Sequence, residues 1–343
     1  MKFSQSDKVI LFGGSRVLSD FANYLVNKEK HLKLAVFSAE RHLGEVISQN
    51  GTTLEAALRK YSVPCYSCSD INRSKSLQKE IAQAKSALGI AFGAAWIFKK
   101  RTVKLFPDNH LLDFMGIDLP RYRGGAHYSW QIMHTNRKAC ANLQVVEGGK
   151  ESFHKGRIIM RKEYGLPLHL RKPRDYFDFI RPKEIAFLKN FWDGVKNGRE
   201  FELQNLDESK SSCYPFLFTK VNGAIDWRWS GRDIYVFVNA FDDPYPGAFT
   251  RLGGKKVFLK NAGLLPSEDR YHPFTSGIVM RKNEKGVFIA AHGNLLLIRT
   301  VLDERGQDVS ARVETGDRFF TPQRDIERAL IFRAKYNSSG IIV

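Results

Sequence analysis

The first half of the chain alternates short apolar runs with longer amphipathic segments, and this alternation restricts the fold more than any other feature. Residues 8–12 (KVILF) form an apolar run that stops at the turn GGS, residues 13–15. The segment that follows places Leu18, Phe21 and Leu25 on one helical face. A strand, a glycine turn and a helix in this order open a doubly wound sheet, so we predict an α/β fold.

The same alternation continues to about residue 134. It predicts strands over 32–40, 87–98 and 110–120, helices over 52–63 and 76–86, and a helix that starts at 128–134. Strands that alternate with helices pair in parallel, so the loops at their C-terminal ends should gather into one cleft. The loop DFMGIDLPRYRGG, residues 113–125, lies at such an end.

The texture of the sequence changes after Pro173. Residues 174–198 predict one long amphipathic helix with a proline inside it, and a polar stretch follows that is typical of a linker. Beyond residue 222, short β-rich segments and one helix within 230–249 alternate with Gly and Pro turns, which predicts a small barrel or sandwich. We therefore predict four parts: a first domain over 1–200, a linker over 201–213, a second domain over 214–330 and a tail over 331–343.

Charge and cysteine content restrict the class of protein. The net charge is +18, from 54 Lys and Arg against 36 Asp and Glu, and predicts attraction to phosphates, nucleotides or acidic lipids. Both a solvated basic face and a phosphate or tRNA contact are compatible with it, although no nucleic-acid motif accompanies the charge. Cys65 and Cys68 form a lone CxxC without a second pair, so we expect no metal. With no signal-peptide pattern and no long apolar run, we expect a cytoplasmic protein without a membrane span.

Three stretches together carry a family resemblance. They are GAAWIFKKRTVKLFP (93–107), LLDFMGIDLPRYRGG with SWQIM (111–125 and 129–133), and NGAIDWRWSGRDIYVFVNAFDDPYPGAFTRLGGKKVF (222–258). In this order they resemble the 10-formyltetrahydrofolate-dependent formyltransferases. The last stretch looks closest to the sugar N-formyltransferases, which formylate amino groups on nucleotide-linked sugars.

The resemblance implies a fold, a cofactor and a substrate. It implies a Rossmann-like domain with a parallel sheet and an OB-like β-barrel domain after it. It also implies 10-formyltetrahydrofolate as the cofactor and a TDP- or UDP-linked amino sugar as the partner. The implied folate cleft consists of Phe92, Gly93, Ala94, Trp96 and Ile97. The implied substrate residues are Arg121, Tyr122, Arg123, Gly124, Gly125, Tyr214, Phe216 and Lys220.

The positions that match the family's catalytic triad hold other residue types. The family has Asn, His and Asp where this chain has Asp113, Met115 and His154. Formyl transfer to an amine needs hydrogen-bond donors for a developing oxyanion and a base for the attacking nitrogen. An ionised Asp113 accepts hydrogen bonds and donates none, and the thioether of Met115 moves no proton near neutral pH. We therefore expect the ordinary transfer mechanism to fail.

Three hypotheses about function stay open at this point. In the first, the chain keeps a sugar-nucleotide cleft and has lost or altered formyl transfer. In the second, transfer persists because His154 acts as the base with Asp113 fixing its tautomer, or because His127 projects into the cleft. In the third, the chain is a non-catalytic partner of a pathway enzyme or an anionic surface. The apolar C-terminal segments also leave room for a homodimer.

Overall fold

A computed structural model describes residues 1–3, 6–48, 50–107, 110–150, 154–265, 271–337 and 340–342. The chain forms two domains, each built on its own sheet. Within these ranges no helix combines the length and the apolar character that crossing a membrane requires.

The first domain contains a seven-stranded sheet in the order β3-β2-β1-β4-β5-β7-β8. Its strands are β1 Lys8–Gly13, β2 Lys33–Ser38, β3 Cys65–Ser67, β4 Ala87–Phe92, β5 Leu111–Met115, β7 Lys138–Val145 and β8 Ile158–Gly165. The first five strands pair in parallel, which confirms the predicted α/β fold. β7 and β8 pair antiparallel, a departure from the expected parallel pairing. The strands predicted over 87–98 and 110–120 end earlier, at Phe92 and Met115.

Helices cover both faces of this sheet. They are α1 Arg16–Lys28, α2 Glu40–Leu43, α3 Leu54–Lys60, α4 Lys75–Ala82, α5 Lys100–Val103 and α6 His127–Met133. Ser15 and Thr53 cap α1 and α3, because each side chain accepts a hydrogen bond from a backbone N–H of the first turn. The predicted face of α1, with Leu18, Phe21 and Leu25, is buried. Periodicity therefore located these helices to within a few residues.

The long helix α7, Pro173–Lys196, joins the two domains. Its C-terminal half packs Phe187 and Phe191 into the first core, and its N-terminal half packs Tyr176 and Ile180 into the second. Pro182 lies inside the helix as expected. One helix therefore contributes side chains to both hydrophobic cores.

The second domain is a six-stranded antiparallel sheet in the order β12-β13-β14-β11-β10-β15. Its strands are β10 Ala248–Leu252, β11 Lys255–Leu265, β12 Val279–Asn283, β13 Gly286–Ala291, β14 Asn294–Leu302 and β15 Phe319–Phe320. The sheet curves into a half-barrel, and a bridge between Ile278 and Arg318 brings its two edges together. Three helices accompany the sheet: α8 Thr219–Asn222, α9 Gly231–Ala240 and α10 Gln323–Ile331. The predicted β-rich second domain is therefore present.

The segments predicted as a linker and as a tail both form ordered contacts. Gln204 pairs with Ile158 through two backbone hydrogen bonds. Residues Cys213–Tyr214 form strand β9, which pairs with β6, Arg123–Gly124. The tail contains a small hairpin of β16, Lys335–Asn337, and β17, Gly340–Ile342. The polar composition of residues 201–213 thus does not make them a free linker, while the domain boundaries stay predictions.

Candidate functional site

The candidate site lies at the edge where the parallel strands β1, β4 and β5 end. Asp113 lies in β5 between Ala91 on β4 and Gln144 on β7. Met115 is the last residue of the same strand and faces the same side of the sheet as Asp113. The sheet therefore brings two of the three triad positions to one edge, as the alternation of strands and helices predicted.

Met115 is enclosed by apolar side chains. It is 8% exposed and packs with Ile117, Leu119 and Ile158, and Leu206 from the segment between the domains lies against this cluster. A thioether in such surroundings offers neither a hydrogen-bond donor nor a base. The position that the resemblance matches to the family's histidine is therefore part of a small hydrophobic core.

The protonation state of the Asp113 carboxyl group depends on its surroundings in the fold. Burial raises its pKa to about 7. In the part of the chain that the structure describes, its carboxyl group has no hydrogen-bond partner and no ion pair. A carboxyl group with this pKa is partly protonated at neutral pH, and the protonated form donates a hydrogen bond. The ionised form of Asp113 therefore makes up only part of the population at neutral pH, and the role of this residue stays a prediction.

The two histidines considered as substitutes are both neutral at physiological pH. Burial, together with the nearby Arg123, lowers the pKa of His154 to about 4. Burial alone lowers the pKa of His127 to about 4, and its Nε2 atom is buried without a hydrogen-bond partner among the described residues. Since Asp113 has no such partner either, the expected Asp113–His154 pair is not formed. With pKa values of about 4, both imidazoles are weak bases, poorly matched to taking a proton from an amine near neutral pH.

Arg123 ties the loop after β5 to two other segments. Its guanidinium donates to both carboxylate oxygens of Glu208, at 2.6 and 2.7 Å, and to the hydroxyl of Ser211. Its Nε donates to the backbone carbonyl of His154 at 3.0 Å. Arg123 itself is only 6% exposed. The guanidinium that we predicted to bind substrate is thus engaged by the protein, and residues 151–153 beside His154 lie outside the described residues.

The glycines of the loop make room for the segment between the domains. Gly124 has a φ of 98°, and a Cβ there would overlap the carbonyl oxygen of Tyr214. A Cβ on Gly125 would overlap the ring of Phe216. The backbone of this turn is therefore covered by residues 214–216 of the same chain.

An arginine occupies a site that resembles a metal centre. Asp118, Cys140 and Glu163 come together, and the Arg161 Nη2 atom donates to all three, at 2.6, 3.3 and 3.0 Å. Its other terminal nitrogen donates to the carbonyl of Leu119 at 2.8 Å. Burial and the adjacent Asp118 raise the pKa of the Cys140 thiol to about 12. The guanidinium thus supplies the positive charge here and fixes the loop, a role that the sequence did not reveal.

An aromatic cluster lies on the other side of the loop. The Tyr214 ring stacks on Tyr122 with centroids 5.4 Å apart and also contacts Trp130 and His134. The indole N–H of Trp130 donates to the Pro215 carbonyl at 3.0 Å. The Tyr214 ring is consequently packed between protein side chains rather than left open for a nucleotide base.

Phe216 is the most open of the aromatic residues predicted to bind substrate. It is 45% exposed and lines a cavity of about 150 Å³ together with Ala126, Ser129 and Tyr245. The exposed Lys220 follows in helix α8. Arg121 is partly exposed, with its Nη1 atom 3.8 Å from Asp118.

The loop after β4, which the resemblance assigns to the folate cleft, is partly closed by its own contacts. Phe92 is buried, Trp96 is 9% exposed, and the indole N–H of Trp96 donates to the Ser69 carbonyl at 2.9 Å. Gly93 has a φ of 60° and is exposed, Ala94 is half-buried, and Ile97 is 37% exposed. Residues 148–149 pack on this loop, since the Gly149 N–H donates to the Phe98 carbonyl at 2.8 Å. Folate binding by these residues stays a prediction.

Glu184 is a buried acid at this site that the sequence analysis missed. It lies on α7, is 6% exposed, and its carboxylate packs so closely on Gly116 that a Cβ there would overlap it. The Tyr128 hydroxyl lies 3.9 Å from the same point. Burial raises the pKa of Glu184 to about 7, against a smaller opposing effect of Arg181. The only sequence signal was a charged residue on the apolar face of a helix.

Comparison with known proteins gives matches along most of the chain. Residues 218–314 match the family described as formyl transferase, C-terminal domain. The methionyl-tRNA formyltransferase of Acidobacterium capsulatum is 28% identical over 155 residues, which are 45% of this chain and 48% of that protein. The methionyl-tRNA formyltransferase of Nitrosomonas eutropha is 20% identical over 305 residues, 88% of this chain and 92% of the relative. The chain thus spans about half the length of the first relative and most of the second.

A solved structure shares the fold. It is the N-formyltransferase from Helicobacter canadensis in complex with folinic acid and dTDP-3-aminofucose. The TM-score is 0.61 with 15% sequence identity, and the match covers 85% of this chain and 98% of the other. At this identity the likeness concerns the fold.

Proposed function

We propose that this chain, whose residues 218–314 match the formyl transferase C-terminal domain, is a formyltransferase-family protein that binds a nucleotide-linked amino sugar and has lost the family's ordinary folate-dependent formyl transfer. The observation that carries this proposal is the enclosure of Met115. The family's histidine position lies in an apolar cluster with Ile117, Leu119 and Ile158. His127 and His154, with pKa values of about 4, are too weakly basic to take over the proton transfer that this position would otherwise perform.

The nucleotide-sugar half of the proposal is supported by the surface around Phe216. Its exposed ring offers a stacking face, and Ser129 and Tyr245 line the same cavity. The cavity, at about 150 Å³, is smaller than the roughly 300 Å³ at which small-molecule pockets usually begin. It therefore suits a nucleobase, with the phosphates and the sugar lying outside the cavity. The Helicobacter canadensis protein, which shares the fold, was crystallised with a dTDP-linked amino sugar.

Calorimetry tests the binding half of the proposal. Titration with dTDP-3-aminofucose should give a Kd between the micromolar and millimolar ranges, about 4 to 8 kcal/mol of binding free energy. Phe216→Ala should weaken binding by about tenfold, as expected for loss of one stacked ring. The matched control is Phe274→Ala, another exposed phenylalanine, which should leave binding unchanged. Equal affinities in the two variants would contradict the assignment of the base to Phe216.

A second candidate function is active N-formyl transfer, and the pKa of Asp113 favours it. A carboxyl group with a pKa of about 7 is well matched to taking a proton from an amine near neutral pH. Its protonated form also donates a hydrogen bond to an oxyanion. In this case, incubation with 10-formyltetrahydrofolate gives a formylated sugar, and Asp113→Asn lowers the rate by at least 100-fold. An absence of product with the unchanged chain supports the first proposal instead.

A further inference from the structure

A second concave region lies at the same sheet edge, between α4 and α5. It has a volume of about 320 Å³, and Asn72, Arg73, Ser74, Gln78, Arg101 and Thr102 line it. We refer to this region, as defined by these residues, as the basic groove. Its residues belong to the connections after β3 and β4, and none of them is a residue of the triad positions or of the Phe216 cavity.

Asn72 joins the two walls of the basic groove. Its Oδ1 atom accepts hydrogen bonds from the Lys99 N–H at 2.7 Å and from the Thr102 hydroxyl at 2.8 Å. Its Nδ2 atom donates to the carbonyl of Ile97 at 3.1 Å. Both ends of the amide are therefore used across the groove, which fixes the spacing between the connection after β3 and the start of α5. The groove is a preformed feature rather than a gap between two independent loops.

The electrostatic character of the basic groove is strongly positive. Residues 70–80 and 97–105 contain two carboxylates, Asp70 and Glu80, and Glu80 is paired with Lys8. The same segments contain seven cations: Arg73, Lys75, Lys79, Lys99, Lys100, Arg101 and Lys104. The side chain of Arg73 is 80% exposed, and its nitrogen lies 3.6 Å from Asp70. Within the described ranges, Arg101 makes no hydrogen bond and no ion pair. Each wall thus places one arginine at the groove: Arg101 without an ion pair among the described residues, and Arg73 in an exposed ion pair that an anion can compete for.

We propose that the basic groove binds a small polyanion that carries at least two phosphate or carboxylate groups. Guanidinium groups form paired hydrogen bonds with either type of anion, and two of them in one concavity select for a ligand with two anionic ends. The amide of Gln78 adds a neutral donor. The volume falls within the roughly 300 to 1,000 Å³ of small-molecule sites.

A small ligand fits the basic groove better than a nucleic acid. Sites for single-stranded nucleic acid combine basic residues with aromatic platforms on which bases stack. The described residues that line the groove include no aromatic side chain. The assignment does not depend on the proposed function, because it uses none of the residues assigned to the sugar nucleotide.

The test is calorimetry on the full chain, with pyrophosphate as the phosphate probe and tricarballylate as the carboxylate probe. We expect saturable binding of at least one probe at 150 mM salt, a concentration at which long-range attraction to the net charge is screened within about 8 Å. Arg73→Gln combined with Arg101→Gln should raise the Kd at least tenfold. Arg232→Gln combined with Arg305→Gln removes the same charge from exposed positions elsewhere and should raise it less than twofold.

A variant that keeps the net charge distinguishes binding in the groove from general attraction to a positively charged protein. Gln78→Trp fills the groove without altering the net charge, so it should also raise the Kd at least tenfold. Equal weakening in the two double variants, or unchanged affinity in Gln78→Trp, would overturn the proposal because binding would then follow net charge alone. Failure of both probes to bind would overturn it as well, including the case where a 12-residue oligouridylate binds instead. Thermal melts of each variant establish that the chain is folded.

Discussion

The buried acid Glu184 should make the stability of the folded chain depend on pH. Its carboxyl group is 6% exposed beneath Gly116, and burial raises its pKa from the ordinary 4.5 to about 7. A shift of this size corresponds to about 3 kcal/mol between the protonated and ionised forms. In the unfolded chain the carboxyl group ionises near pH 4.5. Between pH 4.5 and about 7 the folded chain therefore binds a proton at Glu184 that the unfolded chain has released. Stability from this group is present at low pH and is lost as the pH rises to about 7.

The substitution Glu184→Gln removes this pH dependence while it keeps the shape of the side chain. The free energy of unfolding of Glu184→Gln, measured with urea, should exceed that of the unchanged chain by an amount that grows from pH 4.5 to 7. The difference should change by about 3 kcal/mol over this window and then level off. Glu202→Gln, at an exposed glutamate, serves as the matched control and should show no such growth. A difference for Glu184→Gln that is constant with pH would refute the reasoning.

Three further substitutions test the packing of the site. Gly124→Ala should lower the free energy of unfolding by more than about 2 kcal/mol, because the new Cβ would overlap the Tyr214 carbonyl and φ is positive there. Gly165→Ala is the control: a Cβ there meets no atom within 4 Å, so the free energy of unfolding should change by less than about 1 kcal/mol. Glu208→Gln removes the carboxylate that pairs with the buried Arg123 guanidinium, so it should lower the free energy of unfolding by about 2 kcal/mol and speed proteolysis within residues 201–213. An unchanged cleavage rate would contradict the idea that Arg123 holds this segment in place. Met115→His should lower the melting temperature and give no formyl transfer, and turnover in this variant would mean that an open cleft surrounds the position.

Much of the architecture follows from local patterns in the sequence. The apolar run before Gly13 and the 3.6-residue spacing of Leu18, Phe21 and Leu25 sufficed to place β1 and α1. The alternation of strands and helices also predicted that Asp113 and the loop after it lie at a strand end. These features depend on neighbouring residues, and periodicity reports them directly.

Other features depend on contacts between residues far apart in the sequence. The antiparallel direction of β7 and β8 cannot be read from periodicity, since a strand has the same pattern in either direction. The polar composition of residues 201–213 predicted a linker, but Arg123 holds Glu208 from 85 positions away. The pKa of Asp113 is raised because the folded chain buries its carboxyl group. The sequence alone does not show this burial and therefore does not reveal the protonation state.

Arg161 illustrates the same limit for the loop itself. In the sequence it belongs to a pair of basic residues, which is typical of a solvated face. In the fold it lies among Asp118, Cys140 and Glu163 and holds the loop by its hydrogen bond to Leu119. A cation with three partners on three different segments becomes visible only when the sheet has brought them together.

The central proposal is that this chain keeps the formyltransferase fold and has lost the ordinary formyl transfer. The most direct measurement is mass spectrometry of dTDP-3-aminofucose after incubation with the chain and 10-formyltetrahydrofolate, alongside an active sugar N-formyltransferase as the positive control. We predict that the sugar nucleotide binds but that its mass stays unchanged. The reason is that the thioether of Met115 moves no proton and that His127 and His154, with pKa values of about 4, are too weakly basic to do so instead. A product heavier by one formyl group, formed by the unchanged chain and lost in Asp113→Asn, would contradict the account.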